Sequence, residues 1–90
     1  MRNVTISQRA MKAMETLPRD IQVRARKAVE YLKTDNDMAI KPAKLQGNRN
    51  LYIAKLKNNY RIIYSRSNES VNIVDIISMD KVSSIMRSDK

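Results

Sequence analysis

Apolar residues recur in two different rhythms along this chain. Between Gln8 and Lys33 they return every third or fourth position, the spacing of helices with one buried stripe. From Leu51 to Ser78 they alternate with polar residues or run together, which predicts strands. A short opening strand is predicted over Arg2–Ile6, where Val4 and Ile6 alternate with polar neighbours. Ser7 is placed to cap a helix over Gln8–Leu17, with Ala10, Met11, Ala13, Met14 and Leu17 as its stripe. Pro18 stops that helix, and Asp20 is positioned to cap a second from Ile21 to about Lys33. Its stripe is Ile21, Ala25, Ala28, Val29 and Leu32, which leaves Arg19, Arg24, Arg26 and Lys27 on a solvated face.

Thr34–Met38 reads as a polar connector, and Pro42 and Gly47 mark irregular chain. Strands are predicted over Leu51–Lys57, Tyr60–Arg66 and Val71–Ser78, joined by a tight turn at Asn58-Asn59 and a second at Ser67–Ser70. Val82, Ile85 and Met86 have the spacing of a short C-terminal helix. The order β-α-α-β-β-β predicts one α+β domain over residues 1–90. An antiparallel helix hairpin should pack on one face of a mostly antiparallel sheet.

Alternation also predicts which side each strand residue takes. Tyr52, Ala54, Leu56, Tyr60, Ile62 and Tyr64 suit the helix-covered side. Lys55, Lys57 and Arg61 then converge on the open side, since the opposite choice would bury three cations in a small core.

Charge sharpens this picture. The 90 residues carry 18 Lys and Arg against nine acids, a net charge of +9. No acid occurs between Ala39 and Asn68, where Lys41, Lys44, Arg49, Lys55, Lys57, Arg61 and Arg66 are found. A one-sided cationic surface suits a polyanion, because each phosphate contact releases counterions. Lys41, Lys44, Arg49 and Arg66 are the candidate contacts to RNA or a nucleoprotein. Absent residues exclude several chemistries. Without His or Cys there is no Ser–His or Cys–His catalysis and no ordinary zinc site, and the single Gly47 excludes glycine-rich phosphate loops. No carboxylate cluster suggests a metal, so neither metal nor cofactor is expected. Cysteine-free composition and the lack of a signal-like or membrane-spanning run make a cytoplasmic protein without membrane association the expectation.

The run KLQGNRNLYIAKLKNNYRIIYSRSNESVNIVDIIS, Lys44–Ser78, resembles the RelE/ParE toxin superfamily and is closest to its RelE-like members. The shared features are a Lys-Leu-x-Gly element, a strand with basic alternation, a Tyr-Arg-apolar-apolar-Tyr strand and a final apolar strand. The resemblance implies the toxin of a bacterial type II toxin–antitoxin system. Its partners would be a cognate antitoxin and mRNA on the ribosome. RelE-like members cut mRNA in the ribosomal A site by attack of a 2′-hydroxyl, without metal, whereas ParE-like members act on DNA gyrase. Carried over residue by residue, Lys55 and Arg61 match catalytic positions and Lys57 a basic position beside them. Ile53 stands where the family has a first basic residue. The expected arginine and stacking tyrosine fall at Val82 and Met86, with Lys81 the neighbouring cation. The alternatives are a non-nucleolytic toxin with a protein target such as gyrase, and an inert RelE-fold binding module.

Overall fold

A computed structural model describes residues 1–45 and 50–80. Its elements are β1 (Asn3–Ile6), α1 (Gln8–Thr16), α2 (Arg19–Lys33), a 3-10 helix (Asp37–Ile40), β2 (Ala43–Lys44), β3 (Leu51–Lys55), β4 (Tyr60–Arg66) and β5 (Ser70–Ser78). They form a five-stranded mixed sheet in the order β1-β5-β4-β3-β2, with α1 and α2 packed on it. The β1–β5 pair is parallel and the others antiparallel. The predicted α+β architecture is therefore observed, with two additions: the two-residue edge strand β2 and the 3-10 helix inside the supposed connector. No helix among the described residues is long and apolar enough to cross a membrane. The helix predicted around Val82, Ile85 and Met86 lies outside them.

Local chemistry explains most boundaries. The Ser7 hydroxyl accepts from the Ala10 N–H at 3.1 Å, as an N-cap should, and donates to the Val74 carbonyl at 2.6 Å. The same residue thus starts α1 and ties it to β5. Asp20 is not the cap of α2. That helix begins two residues past Leu17, after Pro18, and Asp20 lies in its first turn, where its carboxylate accepts from the Ile21 N–H.

The core between helices and sheet holds Ala10, Ile21, Ala25, Ala28 and Leu32 against Ala54, Leu56, Ile62, Tyr64, Val71, Ile73 and Ile76. On β3 and β4 these are the residues that alternation selects. On β5 alternation fails, because the register shifts: Ile63 faces Asp75 while Tyr64 faces Ile73. Val74 is the extra residue of a bulge, and it lets Ile73 and Ile76 both turn inward.

Candidate nucleic-acid interface at the β3–β4 hairpin

Lys55 and Arg61 are cross-strand neighbours at the tip of the β3–β4 hairpin, and the row continues to Ile77 on β5. The turn that brings them together runs from Lys57 to Tyr60, with the Tyr60 N–H donating to the Lys57 carbonyl at 3.2 Å. Asn58 takes the left-handed conformation, φ 58°, which Asn tolerates better than most residues. The tip is anchored from β5: the Met79 N–H donates to the Asn59 carbonyl at 2.7 Å, and the Asn59 amide donates to both Asp80 carboxylate oxygens at 3.0 Å. Arg61 is half-buried, and its guanidinium donates to the Tyr60 carbonyl at 3.2 Å. Among the described residues no carboxylate pairs with either Lys55 or Arg61. Two like charges opposite each other on a sheet repel unless an anion lies between or over them.

The remaining cations do not gather on that face. Lys57 lies beyond the end of β3, and its ammonium is 3.1 Å from Asp20 at the start of α2. Strand alternation no longer governs it there, and the acid of the helix draws it away from Arg61. That lysine holds the Asp20 carboxyl below the usual carboxylate range through a hydrogen bond. Lys44 pairs with Tyr52, so the register puts it on the Tyr52 side of the sheet rather than beside Arg61. Lys41 follows the 3-10 helix in a left-handed conformation, φ 49°, and lines a groove against α2. In place of cations, the middle of the open face presents Leu51, Ile53 and Ile63, with Ile53 and Ile63 directly paired. Arg49 and Lys81 lie outside the described residues.

Arg66 is committed elsewhere. Its guanidinium pairs with Asp37 and sits 5.3 Å over the Tyr52 ring, which in turn stacks on Tyr64 at 5.6 Å. Asp37 also accepts from the buried Arg2, and Arg2 reaches Asp35 and the Leu32 carbonyl as well. The Asp37 carboxylate and Tyr52 hold the Arg66 guanidinium more firmly protonated than usual. Beneath them, burial and then the Asp37 charge push the Tyr64 hydroxyl up to about 12. That hydroxyl has no hydrogen-bond partner among the described residues. Nothing in the sequence rhythm marks this network, because both of its acids fall in a segment that reads as a polar connector. Arg24 and Lys27 are exposed on the face of α2 that helical periodicity predicts, and there they share the groove with Lys41 and Lys55.

No family model matches the sequence, and no curated protein matches it either. Solved structures do. The archaeal RelE–RelB complex from Pyrococcus horikoshii OT3 matches at 25% identity and TM-score 0.69, over 86% of this chain and 93% of the matched one. The RelB–RelE antitoxin–toxin complex from Methanococcus jannaschii matches at 17% identity and TM-score 0.73, over 90% and 96%. The DinJ–YafQ toxin–antitoxin complex of E. coli matches at 13% identity and TM-score 0.73, again over 90% and 96%. Both helices packed on a five-stranded sheet agree with these structures, and the chain has the RelE-like toxin fold.

Proposed function

We propose that this chain is the toxin of a type II toxin–antitoxin pair and a ribosome-dependent mRNA endoribonuclease. The observation that carries the reading is the Lys55–Arg61 pair, at the positions where the resemblance implies catalytic cations and with no carboxylate partner among the described residues. The chemistry needs no metal. A 2′-oxygen attacks the adjacent phosphorus, forming a 2′,3′-cyclic phosphate as the bond to the 5′-oxygen breaks. The 2′-hydroxyl proton goes to a base, and the departing 5′-oxygen gains a proton. Arg61 would carry the charge that develops on the phosphoryl oxygens, and Lys55 would donate to the leaving oxygen. A preorganised cation at such a centre contributes about 10²–10³-fold in rate. An antitoxin would neutralise the toxin by occupying these cations, and the solved relatives that are toxin–antitoxin complexes support such a partner.

One observation favours a second reading, a toxin that binds a protein target. The aliphatic centre of the open face, Leu51, Ile53 and Ile63, is better suited to protein than to phosphate. Mapping mRNA ends after induction in growing cells decides between them. Discrete cuts in translated messages, lost in Arg61→Ala, support the nuclease; growth arrest with intact messages supports the protein target.

A further inference from the structure

The strongest cation cluster outside the hairpin tip lies around its edge. A groove of about 470 Å³ runs between α2, the end of the 3-10 helix and the end of β3. Arg24, Lys27, Lys41 and Lys55 line it, over a floor that includes Ala28, Ile40 and Leu56. Among the described residues its lining contains no carboxylate, and none of the four cations has an ion-pair partner. They come from three separate elements. Arg24 and Lys27 stand three residues apart on α2, a like-charge spacing that destabilises a helix unless an anion is supplied. Tyr31, one turn beyond Lys27, is half-buried in the same wall. β2 pairs only with Tyr52 and Ile53, so it does not close the sheet edge at Lys55. Lys55 thus belongs both to the groove and to the cross-strand pair with Arg61, which makes the two continuous through one side chain.

We propose that this groove is a second RNA subsite: Arg24, Lys27 and Lys41 bind phosphates that flank the one held by Lys55 and Arg61, and Tyr31 stacks on a base. The proposal rests on the nuclease reading for its direction of travel, not for its chemistry. Its size suits about one nucleotide of single strand, since pockets for small ligands run ~300–1,000 Å³. A duplex would not enter. Charge complementarity selects the occupant, and a single strand threaded from cation to cation around a sheet edge suits both the groove's volume and its link through Lys55 to the hairpin tip. The helix face that periodicity assigns to solvent then forms one wall of the substrate path.

The test uses a short 2′-O-methyl oligouridylate, which lacks the attacking hydroxyl and so reports binding alone. Its affinity is measured by fluorescence anisotropy across a salt series for the wild type, the double variant Arg24→Ala/Lys27→Ala, and Tyr31→Ala, each first shown to melt like the wild type. The double variant should lower the slope of log K against log salt by about 1.4, at about 0.7 per phosphate contact on a single strand. Tyr31→Ala should weaken binding without changing the slope, because a stacking contact releases no counterion. An unchanged slope in the double variant overturns the subsite, as does failure of the wild type to bind the oligonucleotide. A poly-L-glutamate peptide is run in parallel. If it competes as well as the oligonucleotide and loses affinity in the same variants, the groove belongs to an acidic protein segment and the RNA proposal is overturned. The nuclease reading fails separately, through intact messages on ribosomes, and leaves the slope result standing.

Discussion

Arg61 and Arg66 lie at opposite ends of one strand, β4, and the fold treats their charges in opposite ways. At the Arg66 end, Asp37 is only 7% exposed and is shared between Arg66 and the buried Arg2, with Tyr52 beneath the Arg66 guanidinium. At the Arg61 end, the opposing residue is another cation, and the next in the row is Ile77. The first arrangement neutralises charge within the chain, so it can be buried and can bind the N-terminus to the 3-10 helix and the sheet. The second leaves charge uncompensated on a rigid hairpin, which disfavours the isolated fold and favours an anion. Both arginines sit in the same acid-free stretch of sequence. What separates the paired cation from the unpaired one, among the described residues, is whether the fold delivers a distant carboxylate to it.

The largest expected effect comes from the uncompensated end. Arg61→Ala should reduce mRNA cleavage by about 10²–10³-fold, the cost of losing one preorganised charge stabiliser. Its thermal melt should stay close to the wild type, because the side chain has no ion-pair partner among the described residues. Lys55→Ala should behave similarly in toxicity and cleavage assays. Full toxicity in both variants would break the comparison from the functional side.

The compensated end should show the reverse profile. Asp37→Ala removes the buried one of Arg2's two carboxylate partners, and breaking a buried pair from one side costs about 3–5 kcal/mol. With Arg66 still 38% exposed to water, the lower end of that range is expected, a fall in melting temperature of more than about 10 °C. Calorimetry of the purified chain checks this. A melt like the wild type's would show that the Asp37 cluster is not what joins the N-terminus to the sheet.

How far these two regions could be read beforehand follows from what each depends on. The hairpin is local: a polar Asn-Asn pair between two alternating runs states the turn, the strands and the shared face of Lys55 and Arg61, while the register that pairs them includes Lys57 in the loop. Tyr64 and Ile62 were likewise legible as core from alternation alone. The Asp37 cluster depends on contacts between residues 2, 37 and 66, and no local rhythm encodes a meeting so distant in sequence. The bulge at Val74 was invisible for a related reason: the run VNIVDII has no Gly or Pro to announce a shift, which the Ser7 hydrogen bonds to Ile73 and Val74 accompany instead. Lys57 was misplaced by extending the strand two residues past its end. The helix acid that captures it had been assigned to capping.

A smaller effect should appear in alkali. The Tyr64 hydroxyl titrates at about 12 in the folded chain, above the ordinary value near 10, so the folded state holds its proton longer than the unfolded state does. Stability from this group is complete below about pH 10 and is lost as pH rises toward about 12. Tyr64→Phe removes a buried hydroxyl that has no partner among the described residues, so its melting temperature near neutral pH should match or exceed the wild type's. Between pH 10 and 12 it should lose less stability than the wild type. Parallel declines would mean that the ring near Asp37 is not sealed from solvent.

The smallest effect separates Lys57 from its neighbours. The resemblance places Lys57 beside the catalytic lysine, whereas the fold pairs it with Asp20 on α2. Both side chains are largely exposed, and an exposed ion pair contributes little to stability. Because Asp20 titrates lower in the folded chain, its share is present above the usual carboxylate range and fades as pH falls through that range. Lys57→Ala should therefore shift the melt only slightly at neutral pH, and less still in high salt. Its effect on cleavage should be far below that of Arg61→Ala. Asp20→Asn supplies the decisive contrast, since it releases Lys57 without removing its charge. If Lys57 is only a tether, Asp20→Asn leaves cleavage unchanged. If cleavage rises in Asp20→Asn and that rise disappears on adding Lys57→Ala, the lysine swings to the substrate once freed. The acid on α2 would then be restraining a third member of the cationic site.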